Sequence, residues 1–414
     1  MNYKSKKFKK FNKLNKHNKL KKFNKTKKLK IGSKLKKGGE MINSGGFGCV
    51  FKPALRCKGS NSRKANYISK LGTKKNMTEE FNNFELLKKI LSRVPKVQKY
   101  FILNVSKCQP NSLTKSDMIN LENCSILERY NANNSNVNNY LKELEILNIP
   151  YGGKDLWSLA DNNNLPNYPI ILQKLVNLLK NAILPMNKLN IYHLDIKANN
   201  ILYNKITSPL KIIDYGLLGI SENKKVPEII LDRVIQFNTP FSCLLFNSLF
   251  VNDLLERLKI QNIKKNSNYS EIVNIVKKSY TDFLYKNNRF GHEGFLANVI
   301  LPNINLSLVM EDIPELTFYS VVSTYISKIL LTYLDFTLYK FNEKLFFNEV
   351  YSKNVDIYGW IMCFCIYFKD KKFEIKSIDS KLQSKVSKVI YKYCISPEYS
   401  EKPIPYTEVI NSLR

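Results

Sequence analysis

The stretch "IYHLDIKANNIL", residues 191–202, begins and ends apolar and carries His193, Asp195, Lys197 and Asn200 between its ends. A buried helix or strand does not hold such a polar set without partners. The stretch therefore reads as a loop between two core segments, and its side chains suit a reaction. Asp195 can take a proton from an attacking hydroxyl. Lys197 can neutralise charge that grows on a transferred group. Asn200, and Asp214 in "IIDYGL" nineteen residues after Asp195, offer the hard oxygens that Mg2+ prefers when it also keeps phosphate and water. His193 reads as structural, packing and hydrogen-bonding to fix the loop.

Upstream, "NSGGFGCVF" places Gly45, Gly46 and Gly48 between two strand-like runs. Glycine lets backbone N–H groups approach phosphate oxygens. The turn does not open a helix, so it is neither a dinucleotide fingerprint nor a P-loop. Lys70 follows in the short strand "YISKLG". The next segment, "NMTEEFNNFELLKKILSRV", has apolar residues at helical spacing and ends at Pro95. It offers Glu79, Glu80 and Glu85 as partners for Lys70. Glu80 lies beside the apolar stripe, with Phe84 at i+4 and Leu87 at i+7, and is the preferred partner. Glu85, with Lys88 and Lys89 at those offsets, is held in reserve.

The rest of the first part reads as strand: "KYFILNV", a short "CSILERY", and "LEILNIPYGG" ending in a Gly-Gly turn. Residues 104–140 are rich in Asn and Ser without a clear period and read as a loop insertion. From Asp155 the pattern turns helical, interrupted by the opening loop and by "PLKIIDYGLLGI", a strand and turn. A small β-rich part followed by a larger α-rich part is an α+β plan with two lobes.

In this order the motifs resemble those of protein kinases. "HLDIKANNIL" and "IIDYG" resemble the catalytic loop and the metal-binding motif. "NSGGFGCV" resembles the glycine-rich loop, "YISK" the strand that carries the phosphate-binding lysine, and "LNIPYGGKDL" the hinge. "NVDIYGW" resembles the later segment whose aspartate, here Asp356, braces the catalytic loop. The resemblance spans roughly residues 40–410 with gaps. The wording of "GGFGCVFKPAL", "YISKL" and "IPYGG" is similar to the serine/threonine kinases of large nucleocytoplasmic DNA viruses.

The resemblance implies a bilobal kinase-like fold: a basic arm at 1–38, an N-lobe at 39–150 with an insertion at about 104–140, and a C-lobe at 151–414 with an insertion at about 243–350. It implies transfer of the γ-phosphoryl group of ATP, with Mg2+, to Ser or Thr hydroxyls of protein substrates. Asp195, Lys197, Lys70 and Glu80 would be catalytic, and Asn200 and Asp214 would hold the metal. Gly45, Gly46, Phe47, Gly48, Val50 and Lys70 would cover the nucleotide. Asn148, Ile149 and Tyr151 would meet adenine with backbone groups, and Asp155 the ribose.

Departures from the pattern carry expectations of their own. Asn43 stands where a first glycine belongs, and Asn tolerates positive φ. Tyr215 replaces Phe. Leu194 replaces the arginine that grips a phosphorylated activation loop, so activity without that switch is expected. No A-P-E motif follows Asp214; "QFNTPFS" (236–242) occupies part of that place. More than a hundred residues separate Pro240 from Asp356, so the substrate-docking face is unreadable. A non-catalytic scaffold and a nucleic-acid-associated core protein are the alternative readings.

Composition sets the remaining bounds. The chain has 414 residues, 44% of them hydrophobic, and a formal charge of +32. By count, residues 1–38 hold 17 lysines and no acid. Such a run repels itself and reads as disordered. It is either a solvated tail or an arm for nucleic acid. Eight scattered cysteines form no C-x-x-C pair, so neither a zinc site nor a disulfide framework is expected. A reducing intracellular compartment follows; for a virus this means host cytoplasm and virion. The apolar stretches at 240–255 and 318–340 are broken by polar residues and read as core helices, not membrane spans.

Overall fold

The structure is a computed structural model that describes residues 39–45, 48–128, 130–205, 209–287, 291–308, 316–368 and 379–414. The basic arm, Gly46 and Phe47 lie outside the described residues. The chain is a mixed α+β protein of two compact units. One runs to Arg93 and resumes over Val97–Gly153; the other comprises Val94–Lys96 and Lys154–Arg414.

The first unit is built on five antiparallel strands in the order β1-β2-β3-β5-β4. These are β1 Glu40–Gly45, β2 Gly48–Lys52, β3 Tyr67–Thr73, β4 Ser106–Cys108 and β5 Leu144–Pro150. Helix α1, Lys74–Leu91, follows β3 directly. Thr73 caps it by accepting the Asn76 N–H, and Lys88 and Lys89 complement its C-terminal dipole. Strand periodicity sorts side chains between two faces. Leu147 packs with Met77 of α1 and with Val105, and Phe81, Phe84 and Ile149 lie against them. Leu71, Leu144 and Ile146 join Cys49 and Phe51 in a larger cluster on the other face. Each fully buried aliphatic side chain there contributes about 2 kcal/mol.

That larger cluster corrects the reading of residues 104–140 as a loop. Leu113, Leu121, Ile126, Leu127 and Val137 are buried in it, so the segment is a packed layer over the sheet. "CSILERY" is not a strand: Ser125–Glu128 is a short helix that buries the consecutive pair Ile126 and Leu127. "KYFILNV" is not one either. Val97–Tyr100 is a helical turn, and Phe101, Ile102 and Leu103 are buried in irregular chain before β4 begins at Ser106. A continuous apolar run marks burial without fixing the backbone.

The cysteines bring a second correction. Cys49 is bonded to Cys124 and Cys57 to Cys108, across separations of 75 and 51 residues. Closing loops of that size stabilises by about 4 kcal/mol each on the chain-entropy account. Both tie the 104–140 layer to the sheet or to the chain just after β2. The expectation of no disulfide framework fails for these four. Cys243, Cys363, Cys365 and Cys394 are free and buried.

The second unit is mainly helical. It begins with β6 Lys154–Asp155 and α2 Leu156–Asp161. Helix α3, Tyr168–Leu178, continues through a wider turn at Leu179–Ile183 into Leu184–Lys188. Four short strands frame the opening loop: β7 Ile191–Tyr192, β8 Ile201–Tyr203, β9 Lys211–Ile212 and β10 Gly219–Ile220. Then come α4 Ser248–Ile260, α5 Tyr269–Asn287, α6 Gly291–Phe295, α7 Leu301–Leu308, α8 Phe318–Tyr333, α9 Ser352–Met362, α10 Ser380–Ile390 and α11 Tyr406–Leu413. Ten of the eleven residues of α9 are buried, and Trp360 donates its indole N–H to the Leu175 carbonyl of α3. A helix apolar on nearly all sides belongs at the centre of a bundle. Among the described residues no helix is long and apolar enough to cross a membrane.

Candidate functional site

In the first unit, β3 pairs with β2 so that Val50 lies opposite Lys70. Strand alternation puts Lys70 on the sheet face opposite Ser69 and Leu71. Lys70 Nζ lies 2.7 Å from Glu80 Oε2 in α1, with both side chains about three-quarters buried. Glu85 meets Lys88 at 3.9 Å on an exposed face instead. Gly48 has a packing reason to be glycine, because a Cβ there would stand 2.6 Å from the Leu71 carbonyl oxygen. Gly45 pairs with Gly48 across the hairpin. Asn43 does not use the positive φ its position suggested; it sits in β1 beside a register shift from Met41.

The β5 end is more committed than the expected hinge. The Asn148 side chain turns into the interior, where its Oδ1 accepts from Ser69 Oγ. The Tyr151 N–H is given to the Asn66 carbonyl at 2.8 Å, so it is not a spare donor for a base. The Lys52 ammonium sits 3.3 Å from the Tyr151 ring centroid. In the second unit, Asp155 caps α2 by accepting the Ser158 N–H at 2.8 Å, which occupies one of its oxygens.

The opening loop of the second unit is held from below. Asp356, on α9, accepts the His193 and Leu194 N–H groups at 2.9 Å each. Burial raises the Asp356 pKa; His193, those two amides and Arg233 pull it back. His193 is fully buried and donates from Nε2 to the Ile213 carbonyl at 3.2 Å. Gly359 lies so close that a Cβ would stand 2.5 Å from the Ile196 carbonyl oxygen. Leu194 takes a positive φ of 62°. Its carbonyl accepts from Arg233, which also reaches Gln236 Oε1 at 2.6 Å. A cation thus meets the loop's backbone at Leu194, supplied from a later segment.

Asp195 is the hub. Lys197 Nζ lies 3.0 and 2.9 Å from its two carboxylate oxygens. Asn200 donates to the Asp195 carbonyl at 2.9 Å and to its Oδ2 at 3.0 Å. Asn238 donates to Asp195 Oδ1 at 2.9 Å and to the Ile196 carbonyl at 3.1 Å. The carboxylate is 95% buried yet fully hydrogen-bonded, which keeps an acceptor fixed in one orientation. Strand pairing sets the segments of Asn200 and Asp214 side by side: Ile201 lies opposite Ile212, and the Ile213 N–H donates to the Asn200 carbonyl. Asp214 is exposed at φ 65°, and the Gly216 N–H reaches its carboxylate at only 3.4 Å. The Asn200 amide nitrogen is spent on Asp195, so its oxygen is the end left for a ligand. One amide oxygen and one exposed carboxylate fit a hard divalent ion that keeps water and phosphate oxygens. Among the described residues no cluster of three or more His, Cys, Asp or Glu forms a self-sufficient metal site.

Two residues of this site escaped the sequence reading. Asn238 lies 43 positions after Asp195 in "QFNTPFS", a stretch read for its place in the chain and not for any side chain. Its own Oδ1 is buried without a hydrogen-bond partner among the described residues. His292, on α6 within the long insertion, stacks on Phe237 with ring centroids 5.6 Å apart. Burial and the positive charge of Lys197 lower its pKa, against the pull of Asp195. The insertion therefore delivers an aromatic side chain beside the segment that orients Asp195. Phe295 and Trp157 extend this aromatic group.

No protein-family model and no curated protein matches the chain. Among solved structures, it is similar to the kinase PK-1 of Cydia pomonella granulovirus, at 21% identity over 44% of this chain and 53% of that one, with a TM-score of 0.25. The chain thus spans about half the length of that protein, and a likeness this slight carries no argument about fold or activity.

Proposed function

We propose that the chain is an ATP-dependent protein kinase that transfers the γ-phosphoryl group to Ser or Thr hydroxyls. One observation carries the reading: a carboxylate locked by Lys197, Asn200 and Asn238, on a loop whose amides are held by a buried aspartate. Phosphoryl transfer needs positioning and charge stabilisation more than covalent chemistry. Asp195 accepts the proton of the incoming hydroxyl, and Lys197 turns to the transferred group. Lys70, oriented by Glu80, meets the phosphates of ATP. Asn200 and Asp214 would hold Mg2+, which would supply charge neutralisation on the phosphate oxygens.

The test is transfer from γ-labelled ATP, with Mg2+, into a mixed protein extract by the purified chain and its Asp195→Asn variant. The variant should lose about 10³-fold or more in turnover while still binding ATP. Equal turnover by both proteins would remove Asp195 from the mechanism.

A second reading is a nucleotide-binding scaffold without transfer. It is favoured by the commitment of the Tyr151 N–H and of one Asp155 oxygen to the protein itself. ATP binding with no label transferred by the unsubstituted chain would select it.

A further inference from the structure

The Cys57–Cys108 disulfide lies against the part of β5 assigned above to adenine. Asn148 Nδ2 is 3.3 Å from Cys57 Sγ and 3.7 Å from Cys108 Sγ. The same side chain accepts from Ser69 Oγ, which accepts the Leu55 N–H at 2.8 Å. A buried relay thus runs from the Leu55 amide through Ser69 and Asn148 to the two sulfurs. Cys108 ends β4, the three-residue edge strand paired with β5 at Asn148, Leu147 and Ile146. The Cys57–Pro110 bridge is the adjoining backbone link. The two disulfides also differ in access. Cys49 and Cys124 are 0% and 2% exposed, whereas Cys57 and Cys108 are only half-buried.

We propose that Cys57–Cys108 is a reducible element whose opening loosens the Asn148 end of β5 and weakens nucleotide binding; the nucleotide part rests on the kinase reading. The co-reactant is a dithiol. Its thiolate attacks one sulfur, the Cys57–Cys108 bond breaks, and a mixed disulfide forms. The second thiol of the reductant then displaces the remaining cysteine. The protein gains two electrons and two protons as a pair of thiols, and the reductant leaves as a cyclic disulfide. Two thiols cannot stay at bonding distance, so the sulfurs must separate beside a fully packed Asn148. Each also becomes an S–H rotor where the disulfide offered acceptors only. The amide must find new partners, and the short edge strand loses its covalent anchor. The Cys49–Cys124 bond, shielded within the apolar cluster, stays closed under the same mild treatment.

The experiment uses the full chain purified without reductant, before and after native treatment with dithiothreitol, and after reoxidation. Alkylation and peptide mass analysis should show Cys57 and Cys108 newly labelled, with Cys49 and Cys124 still paired. Amide hydrogen exchange over 144–151 should speed up on reduction and recover on reoxidation. Affinity for Mg·ATP should fall about tenfold. A Cys57→Ser/Cys108→Ser double variant should match the reduced form and ignore dithiothreitol. Thiols at 57 and 108 already free in the untreated chain, or unchanged exchange on reduction, would overturn the proposal. The kinase reading is judged separately: a chain that binds no ATP in either state refutes that reading, and exchange alone then decides the redox element.

Discussion

Asn238 gives Asp195 a hydrogen bond that no short motif announces, so its removal isolates orientation from chemistry. Asn238→Ala leaves Asp195 Oδ1 to Lys197 alone, while Oδ2 keeps Lys197 and Asn200, so the carboxylate is less firmly oriented. Turnover should fall by about 10²-fold with KM for ATP unchanged, as expected when a reacting group is misplaced. Asn238→Asp should be worse, because it sets a second carboxylate against the first. Steady-state kinetics on both variants check this; a wild-type kcat for Asn238→Ala would make the contact incidental. The contrast with Lys197 and Asn200 shows what was legible at this scale. Those two lie within five positions of Asp195, and local backbone geometry brings them to it. Asn238 arrives from 43 positions away on a segment whose path depends on the whole second unit. The choice of Glu80 over Glu85 for Lys70 was legible for the same local reason: helical spacing sets Glu80 beside the buried stripe and Glu85 among lysines.

At the scale of elements, β1, β2, β3, β5 and α1 could be traced because their periods are strong and their ends are marked by glycine turns and Pro95. The layer over the sheet could not. Its buried residues are separated by Asn and Ser, and several sit in short helical turns too brief to show a period. Its anchors are long-range: the two disulfides and the Arg63–Asp117 pair. Asp117 is 2% exposed and accepts from Arg63 at 2.7 Å, from the Gly39 N–H at 2.7 Å and from both donors of Thr114. Burial pushes its pKa up, but those hydrogen bonds and the Arg63 charge win, and it lies below the usual 3.8. A carboxyl lowered by folding stabilises fully above 3.8, and the contribution is lost as pH falls through the lower, folded value. Asp117→Asn should destabilise the first unit by about 3 kcal/mol at pH 7, since it leaves Arg63 buried without its counter-charge. The loss should shrink on acidification below about pH 4. Denaturant unfolding at pH 7 and pH 3 measures this; an equal loss at both would assign the effect to packing.

For the whole molecule, the charge of +32 is concentrated at one end, with 17 lysines before residue 39. Binding carried by such an arm is electrostatic and releases counter-ions, so it must weaken steeply with salt. If the arm is one for nucleic acid, the full chain should bind DNA or RNA in a salt-sensitive way and lose that binding on removal of residues 1–38; no binding by the full chain would leave the arm a solvated tail. The long insertion marks where sequence reading stops at this scale. Its helices were expected as core helices, but His292 stacking on Phe237 depends on tertiary packing that no spacing encodes.

The proposed function stands or falls on Lys197, beside Asp195, meeting the transferred phosphate of bound ATP. An acyl-phosphate derivative of ATP transfers its acyl group to an amine held beside the phosphates, so the labelled lysines report their own position. With Mg2+ present, peptide mapping should find Lys197 acylated, with labelling suppressed by excess ATP and with the exposed Lys74 and Lys75 untouched. Labelling scattered over surface lysines and indifferent to ATP would contradict the account.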